Sequence, residues 1–288
     1  MTDNTTIIFK KSSVEELAAY AAFYSLCFPG ASHLSVPYLQ WLYRSNPAGQ
    51  FIGAEAYCDD MIVGQVIAVP GNYLLQGRKV KGLLAVNVAV HPKFQGRHLF
   101  KKLGLKMCEF GAEEGYEFVI GVANAAATPG WTRQMGFQLV CPLEARLGLG
   151  NLNIDFATAH KNEGFARVWS DHALCWRMGN PNNAVSIRDT KMCQQFFASA
   201  KGKLVPVYAE LPRQEDQVAS KSAPDVLSPF RLFLGLVPDG ACRFTTYVDI
   251  PQSFRPSPLN FIYRSLTDTV KKLEKGTISF SFLDFDAY

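Results

Sequence analysis

The 288-residue chain has no Cys-x-x-Cys pair, no apolar run long enough to cross a bilayer, no dense basic block and only 19% charged residues. Each absence excludes something. Seven cysteines, Cys27, Cys58, Cys108, Cys141, Cys175, Cys193 and Cys242, are scattered and odd in number, so they give no disulfide framework and suit a reducing compartment. His33, His91, His98, His160 and His172 do not fall at ligand spacing with those cysteines, and no metal site is expected. The first residues, Met1 to Lys11, lack the apolar centre of a signal peptide; with no membrane-length run, the expectation is a cytoplasmic protein without a membrane partner. A net charge of +4 without clustering leaves no footprint for nucleic acid. Core material is what the chain has in quantity. At 48% hydrophobic residues it is neither disordered nor fibrous, and its length suits two domains of ordinary size.

One stretch carries most of the chemistry. Leu84 to Val90 is an apolar, β-branched run broken only by Asn87, which predicts a buried strand, and Pro92 ends it by fixing φ and removing a backbone donor. Gln95-Gly96-Arg97 follows, then Leu99, Leu103, Met107 and Phe110 at the spacing of one helical face. The start of that predicted helix holds Arg97, Lys101 and Lys102. Cations there oppose the helix macrodipole, whose positive end is at the N-terminus, so helix stability alone would select Asp or Glu. Free N–H groups at a helix start, three cations and a glycine that admits close approach make a cradle for phosphate or pyrophosphate. The competing reading is ordinary surface lysines on a strand–turn–helix unit, because such charge energies are small and screened.

Around this stretch the pattern predicts a strand at Thr6 to Phe9 and a serine-capped helix from Ser12-Ser13 to about Cys27. A short helix over Ser35 to Tyr43 follows, then a hairpin of Phe51 to Tyr57 and Met61 to Val69 turning at Asp59-Asp60. Tyr73 to Val90 turns near Gln76-Gly77, and the phosphate helix ends near Gly115. Glu117 to Val122 reads as a strand, and Thr128-Pro129 as the cap and first position of a helix closed by Gly136-Phe137. Leu139 to Leu149 supplies one or two further strands.

The run Val88-Ala89-Val90-His91-Pro92-Lys93-Phe94-Gln95-Gly96-Arg97-His98-Leu99-Phe100 resembles the acyl-coenzyme A signature of the GNAT N-acetyltransferase superfamily: a strand ending Val-x-Val-x-Pro, then Gln/Arg-x-x-Gly-x-Gly/Ala. Asn124 and the helix ending in Gly136-Phe137 resemble the family's second coenzyme A segment, and the order of elements is similar too. The resemblance implies an α/β (α+β) GNAT fold with a mixed central sheet flanked by helices. It implies acetyl-coenzyme A as cofactor and an acyl-CoA-dependent N-acyltransferase whose acceptor is the amine of a small metabolite, such as an amino sugar or amino acid. Backbone groups of Val88, Ala89 and Val90 would then pair with the pantetheine arm, and Gln95, Gly96, Arg97, His98, Leu99 and Phe100 would hold the pyrophosphate. Asn124, Pro129 and Trp131 would line the thiol end. His98 and Phe100 stand where Gly and Gly/Ala are usual, and Thr132 where many members carry a tyrosine general acid. For catalysis the candidates are Asn87, the one polar side chain in the apolar strand, and Asn124; a satisfied structural asparagine is the alternative for Asn87.

The expected division is a GNAT domain over residues 1–150 and a degenerate GNAT-like domain over 151–288, the latter without the phosphate motif. Leu39-Gln40-Trp41 through Asn46-Pro47 recurs in outline as Leu174-Cys175-Trp176 through Asn180-Pro181, an echo of duplication. Strands are expected at Lys203 to Glu210, Arg243 to Ile250 and Thr277 to Phe285, a helix at Pro258 to Glu274 and a polar loop at Gln214 to Pro224. Asp284, Asp286 and Tyr288 offer a terminal carboxylate, or simply a frayed end. Two other functions compete. Transfer from aminoacyl-tRNA fits poorly with the coenzyme A signature, whereas a degenerate acyl-coenzyme A-binding protein without turnover is motivated by His98 and Thr132.

Overall fold

Two tight turns set the register of the N-terminal strands. Asp59 and Asp60 have φ of 48° and 62°, and Gln76 and Gly77 have 48° and 77°, the positive values that a two-residue hairpin of matching twist requires. The computed structural model describes residues 6–200, 205–213, 228–255 and 257–285. In chain order its main elements are β1 (Ile8–Lys11), α1 (Leu17–Cys27), α2 (Val36–Leu39), β2 (Ile52–Cys58), β3 (Met61–Leu75), β4 (Arg78–Val90), α3 (Leu99–Glu113), β5 (Phe118–Ala123), β6 (Gln138–Pro142) and β7 (Glu144–Leu149). There follow α4 (Phe156–Asn162), β8 (Phe165–Arg167), α5 (Asp171–Met178), β9 (Ser186–Asp189), β10 (Cys193–Ser199), β11 (Pro206–Pro212), β12 (Phe230–Leu236), β13 (Tyr247–Asp249), β14 (Asn260–Ser265) and β15 (Ile278–Ser281). Among the described residues no helix is long and apolar enough to cross a membrane.

The chain forms two compact units: residues 1–72, 80–139 and 261–272, and residues 73–79, 140–260 and 273–288. Relative to a simple division at residue 150, segments are exchanged: β7 precedes that point yet belongs to the second unit, while most of β14 belongs to the first. In the first unit the strand order is β1-β2-β3-β4-β5-β14, followed by β6, whose first two residues belong to it. Its α3 lays Leu103 and Met107, both fully buried, against Ile52, Val66 and Val119 of the sheet. Each such side chain contributes roughly 1.5–3 kcal/mol by leaving water.

The second unit repeats the succession. β9 and β10 pair antiparallel, as do β10 and β11; β11 and β12 are parallel, as β4 and β5 are in the first unit; and β7 lies between β12 and β13, where the first unit has β14 between β5 and β6. The echo in the sequence is also a repeated turn. Ala48 N donates to Asn46 Oδ1 at 3.0 Å, and Asn182 N donates to Asn180 Oδ1 at 3.0 Å, both asparagines being buried.

Several expectations change. Pro258 to Glu274 is not a helix: Phe261, Ile262 and Tyr263 are all buried in β14, a strand covered on both faces, and the spacing of Leu259, Ile262, Leu266 and Val270 only imitates one helical face. The expected strand at Arg243 to Ile250 shrinks to Tyr247–Asp249, and that at Thr277 to Phe285 stops at Ser281, where Asp284 closes a capping box. Gln214 to Pro224, Asp286 and Tyr288 lie outside the described residues.

Candidate active site

β4 and β5 pair at three positions, Leu83 with Val119, Leu84 with Ile120 and Ala85 with Gly121, although both strands run further. The strands part beyond Ala85, and a cavity of about 1030 Å³ opens where they separate. Of the residues singled out from sequence, it is lined by Asn87, Val88, Val90, Gln95, Gly96, His98, Leu99, Phe100, Asn124 and Trp131. Ala89 is buried and does not line it, Arg97 stacks over the Phe94 ring at 4.9 Å, and Pro129 is likewise not in its wall.

The turn between β4 and α3 is built from local bonds. His91 Nδ1 accepts from Lys93 N at 3.1 Å, starting a short 3₁₀ turn at Pro92, and Gln95 Nε2 donates back to Val90 O at 3.4 Å. Gly96 has φ of 77° and His98 has 59°. His98 thus adopts the left-handed conformation that glycine takes at little cost, which gives a physical reason for a glycine being usual there. The first helical bond runs from Lys102 N to His98 O, so the N–H groups of Leu99, Phe100 and Lys101 have no partner within the helix. No acid occupies the first turn, and Lys101 lines the cavity. Phe100, the other departure from the motif, meets Trp131 edge to face at 5.2 Å and lies against Gly130, whose missing side chain makes room for it.

Residues 9–140 match the family model described as an acetyltransferase (GNAT) domain. The chain carries a GNAT domain. The activity class that the description of this model names is acetyl transfer. Among solved structures, a probable N-acyltransferase from Enterococcus faecalis matches with a TM-score of 0.60 at 11% identity, covering 91% of this chain and 73% of its own. A GCN5-related N-acetyltransferase from Anabaena variabilis gives the same values, and Eis1 from Mycobacterium abscessus matches at 0.54 and 9% identity over 91% and 73%. At these identities the likeness is one of fold, and it extends over both units. No protein with a curated description matches the sequence.

Within the GNAT domain, Asn124 is a turn former: its Oδ1 accepts from Ala127 N at 2.9 Å, and its carbonyl accepts from Thr128 N and from Thr128 Oγ1. The expected threonine cap is therefore corrected; Thr128 is already helical, and Asn124 shapes the turn before it. Thr132 spends its hydroxyl on Thr128 O at 2.9 Å and does not line the cavity. Asn87 heads a buried chain of polar groups that the sequence reading missed. Its Nδ2 donates to Tyr43 OH at 2.6 Å, the Tyr43 and Tyr24 hydroxyls lie 3.1 Å apart, and Tyr24 OH donates to Gln65 Oε1 at 2.6 Å. Gln65 Nε2 in turn donates to Glu55 Oε2 at 3.3 Å. Tyr24 has one proton and gives it to Gln65, so the proton between the tyrosines belongs to Tyr43. Burial pushes the Tyr24 hydroxyl well above its ordinary value, and burial likewise raises the Glu55 carboxyl, opposed by hydrogen bonding from Tyr20 and Gln65. The signal was present as Glu55 and Gln65 interrupting the apolar runs of β2 and β3. With its amide committed to Tyr43, Asn87 keeps its carbonyl oxygen as an acceptor at the cavity wall. His33, from the loop between α1 and α2, also lines this space and carried no sequence signal.

Proposed function

We propose that the protein transfers an acetyl or other short acyl group from acetyl-coenzyme A to the amine of a small metabolite. The carrying observation is the junction of parted parallel strands with an acid-free helix start: β4 opens from β5 at the point where α3 aims its free N–H groups and Lys101 into the same cavity. Anions are stabilised at such a helix end by dipole and hydrogen bonds together. The acyl thioester supplies the group to be transferred. In this chain the backbone of Gln95 to Phe100 holds the pyrophosphate, with Lys101 adding charge, while the unpaired edge of Val88 to Val90 bonds the pantetheine arm as an added strand would. Asn124 and Trp131 shape the reactive end. Asn87, held by Tyr43, accepts an N–H of the incoming amine and so orients its lone pair, a positioning effect.

A second reading is supported by Thr132, whose hydroxyl bonds the backbone and is a far weaker acid than a phenol. It holds that the domain binds acyl-coenzyme A without turnover. The two readings separate when the purified protein is supplied with acetyl-coenzyme A and a panel of amino sugars, amino acids and polyamines while free thiol release is followed. Acceptor-dependent release well above hydrolysis supports transfer; tight binding with no release on any amine supports the second reading and overturns the first.

A further inference from the structure

The second unit holds a separate cavity of about 340 Å³. β11 and β12 pair in parallel only at Val207 with Leu232 and Tyr208 with Phe233; β12 then pairs with β15 at Gly235 and Leu236. The C-terminal turn at Phe282–Asp284 follows β15, and the cavity lies along this arrangement. Arg177 locks that turn by donating to the carbonyls of Phe282, Leu283 and Phe285.

Three carboxylates reach the cavity. Glu163 accepts from Ser279 Oγ, and Glu210 accepts from Tyr208 OH and from Leu152 N. Asp284, 5% exposed, uses Oδ2 to accept from Ser281 N, while its buried Oδ1 has no hydrogen-bond partner. Opposing them are Arg167, stacked over the Trp169 ring at 4.3 Å, and His160. Leaving a carboxylate oxygen unmatched in a buried site is costly, and a bound donor removes that cost. Among the described residues no three His, Cys, Asp or Glu side chains are grouped to hold a metal ion, and an organic donor is the one that matches the apolar surface beside the carboxylates. The rest of the wall is apolar, with Phe156, Trp169, Phe233 and Phe280.

From this geometry we infer that the second unit binds a small organic ammonium ion carrying an apolar or aromatic body, its N–H groups directed to Asp284 and Glu163 and its body against Trp169 and Phe233. The site is distinct from the coenzyme A cavity and stands without it.

Phenethylamine and tryptamine are the probes, with 3-phenylpropionate as the anion of matched shape. Calorimetric titration of the full chain is expected to show one amine bound per chain and no binding of the anion, with affinity falling at least tenfold in both Asp284→Asn and Glu163→Gln. Glu163→Gln carries the comparison if Asp284→Asn does not fold. In a nitrogen-15 spectrum the indole N–H of Trp169 is expected to shift and that of Trp131 to stay. No amine binding at millimolar concentration, equal binding of the anion, unchanged affinity in the folded variants, or a shift at Trp131 in place of Trp169 would each overturn the assignment.

Discussion

The ring of Phe100 fills the space that a side chain at Gly130 would need: a methyl group there would lie 2.3 Å from Cε1 of Phe100. A large residue in the motif's last position is thus tolerated because a residue thirty places on has none. Gly130→Ala should destabilise the protein by about 1–3 kcal/mol through overpacking. Combined with Phe100→Ala, which leaves room, the loss should be clearly smaller than the sum of the two single losses. Urea midpoints measure this, and additivity within about 0.5 kcal/mol would contradict the contact.

Gly96 and His98 both have positive φ, but only one is glycine. No atom lies within 4 Å of a side chain added at Gly96, so Gly96→Ala tests backbone strain alone. It is expected to cost about 1 kcal/mol, while His98→Gly should leave stability unchanged within about 1 kcal/mol, relief of strain offsetting the greater freedom of the unfolded chain. A large loss in His98→Gly would mean that its imidazole makes a contact the left-handed backbone does not explain.

Asp284 ties stability to pH. Burial pushes its carboxyl up to about 6 from an ordinary 3.8, against the attraction of Arg167, the hydrogen bonds from Ser281 and the charge of Arg177. The folded chain therefore takes up a proton there more readily than the unfolded one, and the stability this provides is complete below about pH 4 and lost as pH rises through about 6. The stability of wild type minus that of Asp284→Asn should fall by on the order of 3 kcal/mol between pH 4 and pH 7. A flat difference across that range would remove Asp284 as a buried, charged group.

Tyr43→Phe removes the acceptor of the Asn87 amide and the donor to Tyr24. With both groups buried, the expected loss is about 1–3 kcal/mol of stability. If Asn87 positions the amine, the variant should retain acetyl-coenzyme A affinity while kcat/KM for the acceptor falls. An unchanged kcat/KM would leave the chain of polar groups a purely structural feature.

The elements nearest the candidate cavity between β4 and β5 were the most legible, because their chemistry is local. Asp59-Asp60 and Gln76-Gly77 name their turns, Pro92 marks the end of β4, and the cations at α3 stand out against the macrodipole. What was not legible depends on pairing between residues far apart in sequence. β14 is covered on both faces, so Phe261, Ile262 and Tyr263 carry no alternation, and the helical spacing on either side of them misled. The chain of groups from Asn87 through Tyr43, Tyr24 and Gln65 to Glu55 draws on five separate segments, and the cavity around Asp284 depends on where β15 lies against β12. Only Glu55 and Gln65, polar interruptions of apolar strands, hint at the first, and the second leaves no pattern within any one segment.

The most direct test of the account is calorimetric titration of the purified protein with acetyl-coenzyme A, repeated with Gly96→Asp and Arg97→Glu. One molecule bound per chain, with affinity lost in Gly96→Asp and reduced severalfold in Arg97→Glu, is the predicted result; no binding by the folded wild-type protein would contradict it.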